Sequence, residues 1–117
     1  MIVTRAVENN EGFVASVMFD NGLVLDSEFE PDCCAYNFLD FIQFVEGREF
    51  PTMGPEEFVK AAKAKEDGYI VVDSMGVPAW IQARSEQNGY YSANVRLIAQ
   101  LDVITIVADR VDGVVED

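Results

Sequence analysis

The chain has 117 residues, 50% of them hydrophobic, and a formal charge of −13 from 21 acidic and 8 basic residues. This length and apolar content predict one folded domain, residues 1–117, and exclude wholesale disorder. The negative charge argues against direct binding of nucleic acid, because phosphate contacts need a basic patch. No apolar run reaches the roughly 18 residues of a membrane span, and the N-terminus lacks a signal-peptide segment, so we expect a soluble protein in the cytoplasm.

Two successive β-hairpins are predicted at the start of the chain. A turn at residues 9–12 links an extended run at 2–8 to another at 13–19. The second turn contains Asn21-Gly22, and a three-residue loop, residues 20–22, is favoured over a two-residue loop because it collects the apolar side chains on one face. The pairs expected from this register are Phe19 with Leu23, Val17 with Leu25, and Phe13 with Phe29.

The strand after this second turn is acidic. Asp26, Glu28 and Glu30 are expected on one face, about 6.7 Å apart, because a strand rises about 3.3 Å per residue. Between Ala6 and Gly47 the chain has nine acidic residues and no basic residue. This row either imitates the phosphates of nucleic acid for a basic partner or is an ordinary solvated face.

The only two cysteines are adjacent, Cys33 and Cys34, and they follow Asp32. A structural zinc site needs four ligands, and the chain has no histidine to supply them. Neighbouring Cα atoms lie about 3.8 Å apart, which is closer than an unstrained disulfide allows. Acidic surroundings also disfavour a reactive thiolate. We therefore expect no metal, no cofactor and no catalytic cysteine, with one thiol in the core and Asp32 bonded at a turn.

The middle of the chain contains the predicted helix, at about residues 55–67. Pro55 suits the first helical position, acidic residues follow it, lysines come later, and Gly68 is the expected stop. The preceding segment, residues 36–46, fits either a strand or a helix, and its aromatic residues favour a strand.

Two further hairpins and a final strand complete the prediction. Residues 74–76 form the first loop, which pairs Val71 with Ala79 and Tyr69 with Ile81. Residues 87–89 form the second loop, which would place Trp80 opposite Arg96 for a cation–π contact. The β-branched run at 101–109 predicts a last strand. The side chains expected on one polar and aromatic face, a candidate ligand surface, are Trp80, Arg84, Tyr90, Asn94 and Arg96.

Together these elements predict an α+β fold that is mainly antiparallel β, built from sequential hairpins with one helix. The sequence contains no phosphate-binding loop, dinucleotide fingerprint or catalytic triad. Any acid–base chemistry would fall to carboxylates, tyrosines or lysines. This composition favours a binding protein over an enzyme.

Two motifs resemble those of a family of small uncharacterised phage proteins. The first is Asp32-Cys33-Cys34 after a hairpin. The second is the distal run Asn88, Gly89, Tyr90, Tyr91 and Ser92. Their order and spacing are similar over about residues 12–98, with departures at Ala35, where the family usually has an acidic residue, and at Gln87, where it usually has serine. The resemblance implies a phage origin, expression inside a bacterium, and one shared core or site for the two motifs.

Three functions remain open from the sequence. The first is binding of a host or phage protein in the infected cell, with mimicry of nucleic acid as its sharper form. The second is binding of, or catalysis on, a nucleotide-like small molecule at the candidate ligand surface. The third is an assembly role mediated by an exposed strand edge.

Overall fold

A computed structural model describes residues 1–28 and 34–116. Within these ranges the chain forms eleven strands and one helix. In chain order they are β1 (Val3–Glu8), β2 (Val14–Phe19), β3 (Val24–Glu28), β4 (Tyr36–Asp40), α1 (Pro55–Ala61), β5 (Lys63–Lys65), β6 (Gly68–Val72), β7 (Pro78–Glu86), β8 (Asn94–Leu101), β9 (Ile104–Val107), β10 (Val111–Asp112) and β11 (Val114–Glu116).

The strands form two sheets. The six-stranded sheet has the order β1-β2-β3-β8-β10, with β9 also paired to β8. The five-stranded sheet has the order β11-β7-β6-β5, with β4 also paired to β7. The β11–β7 pair is parallel, and the other pairs in the described ranges are antiparallel. The prediction of a mainly antiparallel α+β fold is confirmed.

One hydrophobic core joins the two sheets. Burial alternates along β7 and β8, as it does in strands with one face on the core. The helix contributes Phe58, whose ring lies 6.2 Å from that of Phe19 on β2. Phe44 and Phe50, from the segment between β4 and α1, stack with ring centroids 4.9 Å apart. The core therefore depends on aromatic residues outside the strands as well as on the sheets.

Three hairpin predictions are confirmed. The β1–β2 turn is closed by the Asn9 N–H, which donates to the Phe13 carbonyl at 2.8 Å. In the β2–β3 hairpin Val17 pairs with Leu25, and Gly22 has a φ of 91°, the left-handed conformation expected of a three-residue loop. In the β6–β7 hairpin the pairs are Val71 with Ala79 and Tyr69 with Ile81. The expected partner of Phe13, Phe29, lies outside the described residues.

The helix is shorter than predicted. It ends at Ala61, and Ala62 is already extended, with ψ at 102°. The three residues that follow form β5, in which Lys63 pairs with Ile70. Gly68 is part of β6 and does not stop the helix: a Cβ there would lie 2.2 Å from the Ile81 carbonyl oxygen. The glycine is thus required by close packing against β7, a tertiary reason that the local sequence does not contain.

The predicted hairpin between β7 and β8 is wrong. β7 pairs with β6, β4 and β11, whereas β8 lies beside β3, β9 and β10 in the other sheet. Trp80 consequently pairs with Ile70, and Arg96 pairs with Glu28. The alternation of apolar side chains predicted correctly which side chains of each strand face the core, but alternation does not identify the neighbouring strand.

The two remaining predictions are partly correct. Segment 36–46 begins with a strand, β4, and continues as turns from residue 41. The run at 101–109 contains the strand β9, but Leu101 ends β8 and Asp102, with φ at 53°, lies in a tight turn between them. None of the helical structure described is long and apolar enough to cross a membrane.

Candidate functional site

The acidic strand β3 lies inside the six-stranded sheet, between β2 and β8. Asp26 and Glu28 are both exposed on its outer face, as predicted, while Glu30 lies outside the described residues. Their cross-strand neighbours on β8 are not acidic: Asp26 pairs with Ile98, and Glu28 pairs with Arg96. The carboxylates of β3 therefore form part of a mixed surface that contains an apolar and a basic side chain.

An apolar band crosses this outer face diagonally. Met18 pairs directly with Val24, and Ile98 pairs directly with Val107. The residue that pairs with Val24 lies two positions from Ile98 along β8, so Val24 and Ile98 are diagonal neighbours. The residue that pairs with Val7 lies two positions from Met18 along β2, so Val7 and Met18 are diagonal neighbours as well. Such neighbours lie about 7–8 Å apart. We call the five side chains Val7, Met18, Val24, Ile98 and Val107 the apolar band.

The apolar band is accessible to solvent. Val7, Met18 and Val107 are 39%, 40% and 36% exposed, and Val24 and Ile98 are half-buried. Alternation along each strand explains its position, since the inner neighbours, such as Val17 and Leu25, occupy the core.

Charged side chains of both signs border the apolar band. Arg5 pairs with Met18, and Arg96 lies on β8 two residues before Ile98. Asp26 and Glu28 occupy the adjoining positions on β3. An apolar centre with a polar and charged rim is the usual composition of a protein–protein contact surface.

The residues of the candidate ligand surface do not converge. Trp80 and Arg84 are on β7 of the five-stranded sheet, and Asn94 and Arg96 are on β8 of the six-stranded sheet. Tyr90 is 86% exposed in the loop between these strands. The expected cation–π pair between Trp80 and Arg96 is therefore absent. The Trp80 indole N–H instead donates to the Gln82 side chain at 2.9 Å.

Arg84 has a structural role. Its Nε lies 3.4 Å from Oδ2 of Asp40, a carboxylate that is 2% exposed. The other carboxylate oxygen of Asp40 accepts hydrogen bonds from the Val14 and Ile42 N–H groups, at 3.1 and 3.2 Å. The Arg84 guanidinium also lies 4.7 Å from the centre of the Phe13 ring. These contacts join β2, β4 and β7, so Arg84 connects the two sheets.

Of the first motif of the family resemblance, Cys34 is described, and the strand that follows it lies beside the end of β7. β4 begins two residues after Cys34, and its Tyr36 pairs with Glu86, at the start of the loop that carries the distal motif. Cys34 is exposed, whereas Asp32 and Cys33 lie outside the described residues. The shared core or site that the resemblance implies stays a prediction.

A buried polar network holds this loop. The Asn37 amide donates to the Ser92 carbonyl at 2.8 Å and to the Asn94 carbonyl at 3.1 Å. It accepts from the Ser85 hydroxyl at 2.5 Å, and Ser85 in turn accepts from the Gln87 amide at 2.6 Å. Gln87 closes the loop by accepting from the Tyr91 N–H at 2.7 Å. Because Asn37, Ser85 and Gln87 are buried, these bonds fix the loop on β4.

A polar cleft of about 300 Å³ lies beside this network. Asn94 belongs to both, since its carbonyl accepts from Asn37 and its side chain lines the cleft. Of the five residues expected to form a ligand surface, Asn94 alone lines this cleft. The lining residues are Lys65, Glu66, Asn94, Arg110, Val111 and Asp112.

One buried tyrosine links the sheets near this cleft. The Tyr69 hydroxyl, from β6, donates to the Asp109 carbonyl and accepts from the Leu97 N–H at 3.2 Å. Burial raises the pKa of Tyr69 above its ordinary value, and the Asp109 carboxylate raises it further, while the Leu97 N–H and Arg96 act in the opposite direction. A neutral phenol that makes two hydrogen bonds of this kind connects strands and is not placed to act as a base.

No group of His, Cys, Asp and Glu side chains suited to hold a metal ion occurs among residues 1–28 and 34–116. Comparisons with protein-family models, curated proteins and solved structures gave no match.

Sequence reasoning missed the apolar band and the Asn37 network. The band is assembled from five strands, so it requires the strand order as well as the pattern of each strand. A signal for it was present: Met18, Val24, Ile98 and Val107 are apolar at positions that alternate with core residues. The network had no local signal, because Asn37 and Ser92 are 55 residues apart in sequence.

Proposed function

We propose that this protein acts by binding another protein through the outer face of its six-stranded sheet. The observation that carries the proposal is the apolar band, whose side chains are accessible to solvent on the surface of the folded chain. The family resemblance extends the proposal to a phage protein that binds a host or phage protein inside the infected bacterium.

The register favours a mixed protein contact over imitation of nucleic acid. The carboxylates of β3 have no acidic neighbour on β8 that would widen the row: Arg96 lies opposite Glu28 and Ile98 lies opposite Asp26. The net charge of −13 still favours basic partners, because it increases their rate of encounter. The apolar band then supplies the contact area and the charged rim supplies the orientation.

A pull-down from bacterial lysate with matched variants tests this proposal. Met18→Asp places a charge in the middle of the apolar band. Met75→Asp is the matched control, since Met75 is 88% exposed in the β6–β7 turn on the other sheet. Met75→Asp should change the free energy of unfolding by less than about 0.5 kcal/mol. Met18→Asp lies on a strand paired on both sides, where aspartate is disfavoured, and should lower the free energy of unfolding by about 1 kcal/mol.

We expect the parent protein and Met75→Asp to retain the same partner, and Met18→Asp to lose it by at least tenfold. Retention at raised salt concentration would agree with an apolar contact, whereas loss at raised salt and competition by DNA would favour mimicry. Equal capture by Met18→Asp and the parent protein, or capture of no specific partner, would contradict the proposal.

A further inference from the structure

Strand β9 is an open edge of the six-stranded sheet. Within the described ranges it pairs with β8 alone, and it follows β8 through a tight turn at residues 102–103. Its four residues are Ile104, Thr105, Ile106 and Val107. Three of them are exposed, and the fourth, Ile106, is half-buried. The strand is therefore uncharged, β-branched throughout, and accessible.

The direction of each backbone group on β9 follows from its register. The Ala108 N–H donates to the Leu97 carbonyl on β8 at 2.9 Å. Since hydrogen-bonding direction alternates along an antiparallel strand, Ile106 and Ile104 also direct their backbone groups to β8. The N–H and C=O groups of Thr105 and Val107 consequently point away from the sheet, where a further strand would pair.

Two other sheet edges, β5 and β1, carry charges that discourage pairing. β5 contains Lys63 and Lys65, both exposed, and β1 contains Arg5 and Glu8, also exposed. Lysines and other charges on an edge strand are the usual protection against addition of a foreign strand. β9 has no charged residue, and its Val107 belongs to the apolar band.

Charge around β9 indicates which strand would fit. Asp102 precedes the strand and Asp109 follows it, and both are exposed. The first turn of α1, the helix packed against β9, adds Glu56 and Glu57. Arg110, exposed next to Asp109, adds one positive charge to these four negative ones. The net negative charge around β9 therefore favours an added strand with basic ends.

We infer that β9 receives an extended segment of the partner protein, apolar in its centre and with Lys or Arg at its ends, which pairs with Thr105 and Val107 and extends the six-stranded sheet. This rests on the proposed function and specifies its partner. Main-chain hydrogen bonds would supply the pairing, and the side chains of the added strand would continue the apolar band.

A designed peptide and an edge-blocking variant test the inference. The peptide has two lysines at each end and alternating valine and threonine between them, and it carries a fluorescent label; a second peptide has glutamates in place of the lysines. Thr105→Pro removes an outward N–H and leaves the bonds of β9 to β8, because proline is tolerated where the N–H faces away from a sheet. Thr105→Val is the control that changes the side chain and retains the backbone donor.

We expect the basic-ended peptide to bind the parent protein and Thr105→Val equally, to bind Thr105→Pro at least tenfold more weakly, and to slow hydrogen exchange of the Thr105 and Val107 amides. The acidic-ended peptide should bind at least tenfold more weakly than the basic one. Binding that is unchanged in Thr105→Pro, unprotected amides, or no binding up to about 1 mM peptide would overturn the inference. Dimerisation of the protein through β9, detected by light scattering and abolished by Thr105→Pro, would also overturn it.

The two proposals fail separately in the lysate experiment. If the partner is lost by Met18→Asp and retained by a Thr105→Pro variant of parental thermal stability, the outer face binds and the added strand is refuted. If neither change affects capture, the proposed function itself is refuted.

Discussion

Replacing Asn37 by alanine tests whether the buried polar network fixes the loop between β7 and β8. The change removes two hydrogen bonds donated by the Asn37 amide and one accepted from Ser85. At about 1 kcal/mol net for each bond, the free energy of unfolding should fall by about 3 kcal/mol. The loss should not be smaller than that, because the Ser85 hydroxyl is fully buried and loses the acceptor of its own proton, although it still accepts from Gln87. The Ser92 carbonyl keeps a bond from the Gln87 amide at 3.3 Å.

Urea unfolding followed by the fluorescence of Trp80, the single tryptophan, measures this loss. Asn88→Ala is the matched control: it removes the same type of side chain from the loop itself, where Asn88 is exposed and accepts a longer bond, 3.4 Å, from the Tyr90 N–H. We expect the control to cost under about 0.5 kcal/mol.

Hydrogen exchange separates loss of the loop from loss of the whole fold. In Asn37→Ala the Tyr91 amide, which donates to Gln87, should exchange faster than in the parent protein by more than the change in global stability explains. Equal stabilities for Asn37→Ala and Asn88→Ala would refute the reasoning, because the network would then contribute no more than a surface contact.

Three further predictions concern stability. Asp40→Ala should lower the free energy of unfolding, measured in urea, by about 3 kcal/mol, because it breaks the ion pair with Arg84 and leaves two backbone N–H groups without their acceptor. Asp40→Asn should lower it less, because the asparagine side chain keeps an acceptor for those two groups. Gly68→Ala should lower the free energy of unfolding by more than about 2 kcal/mol, because the added Cβ would overlap the Ile81 carbonyl. Gly54→Ala is the control and should lower it far less, because the closest atom to its Cβ is 3.6 Å away. Similar thermal midpoints for the two variants would contradict the prediction. Because burial raises the pKa of Tyr69, the folded state retains the phenol proton at a pH at which the unfolded chain has lost it. The free energy of unfolding should therefore fall as the pH rises above about 10, and Tyr69→Phe should remove this part of the pH dependence. The same pH dependence in the parent protein and the variant would count against the prediction.

The Gln87-Asn88-Gly89 stretch shows why part of the fold could not be predicted. Asn-Gly between two alternating strands is a strong hairpin signal, and the same argument gave the correct register at Gly22 and Gly76. At Gly89 the strands on either side enter different sheets, because β7 has its edges taken by β6, β4 and β11. The buried side chains Asn37 and Gln87 then stabilise a loop instead of a hairpin.

The pattern of residues along the chain was enough to predict the strand-rich fold class, the position of three hairpin turns, the register of two of those hairpins, and which side chains of β3, β7 and β8 face outwards. These properties depend on alternation and turn chemistry, which act over a few residues. Three other properties could be known from the folded chain alone: Trp80 and Arg96 lie in different sheets, Arg84 pairs with Asp40, and apolar side chains from five strands form one band. Those properties depend on which strand lies beside which, and that is set by packing between residues far apart in the chain.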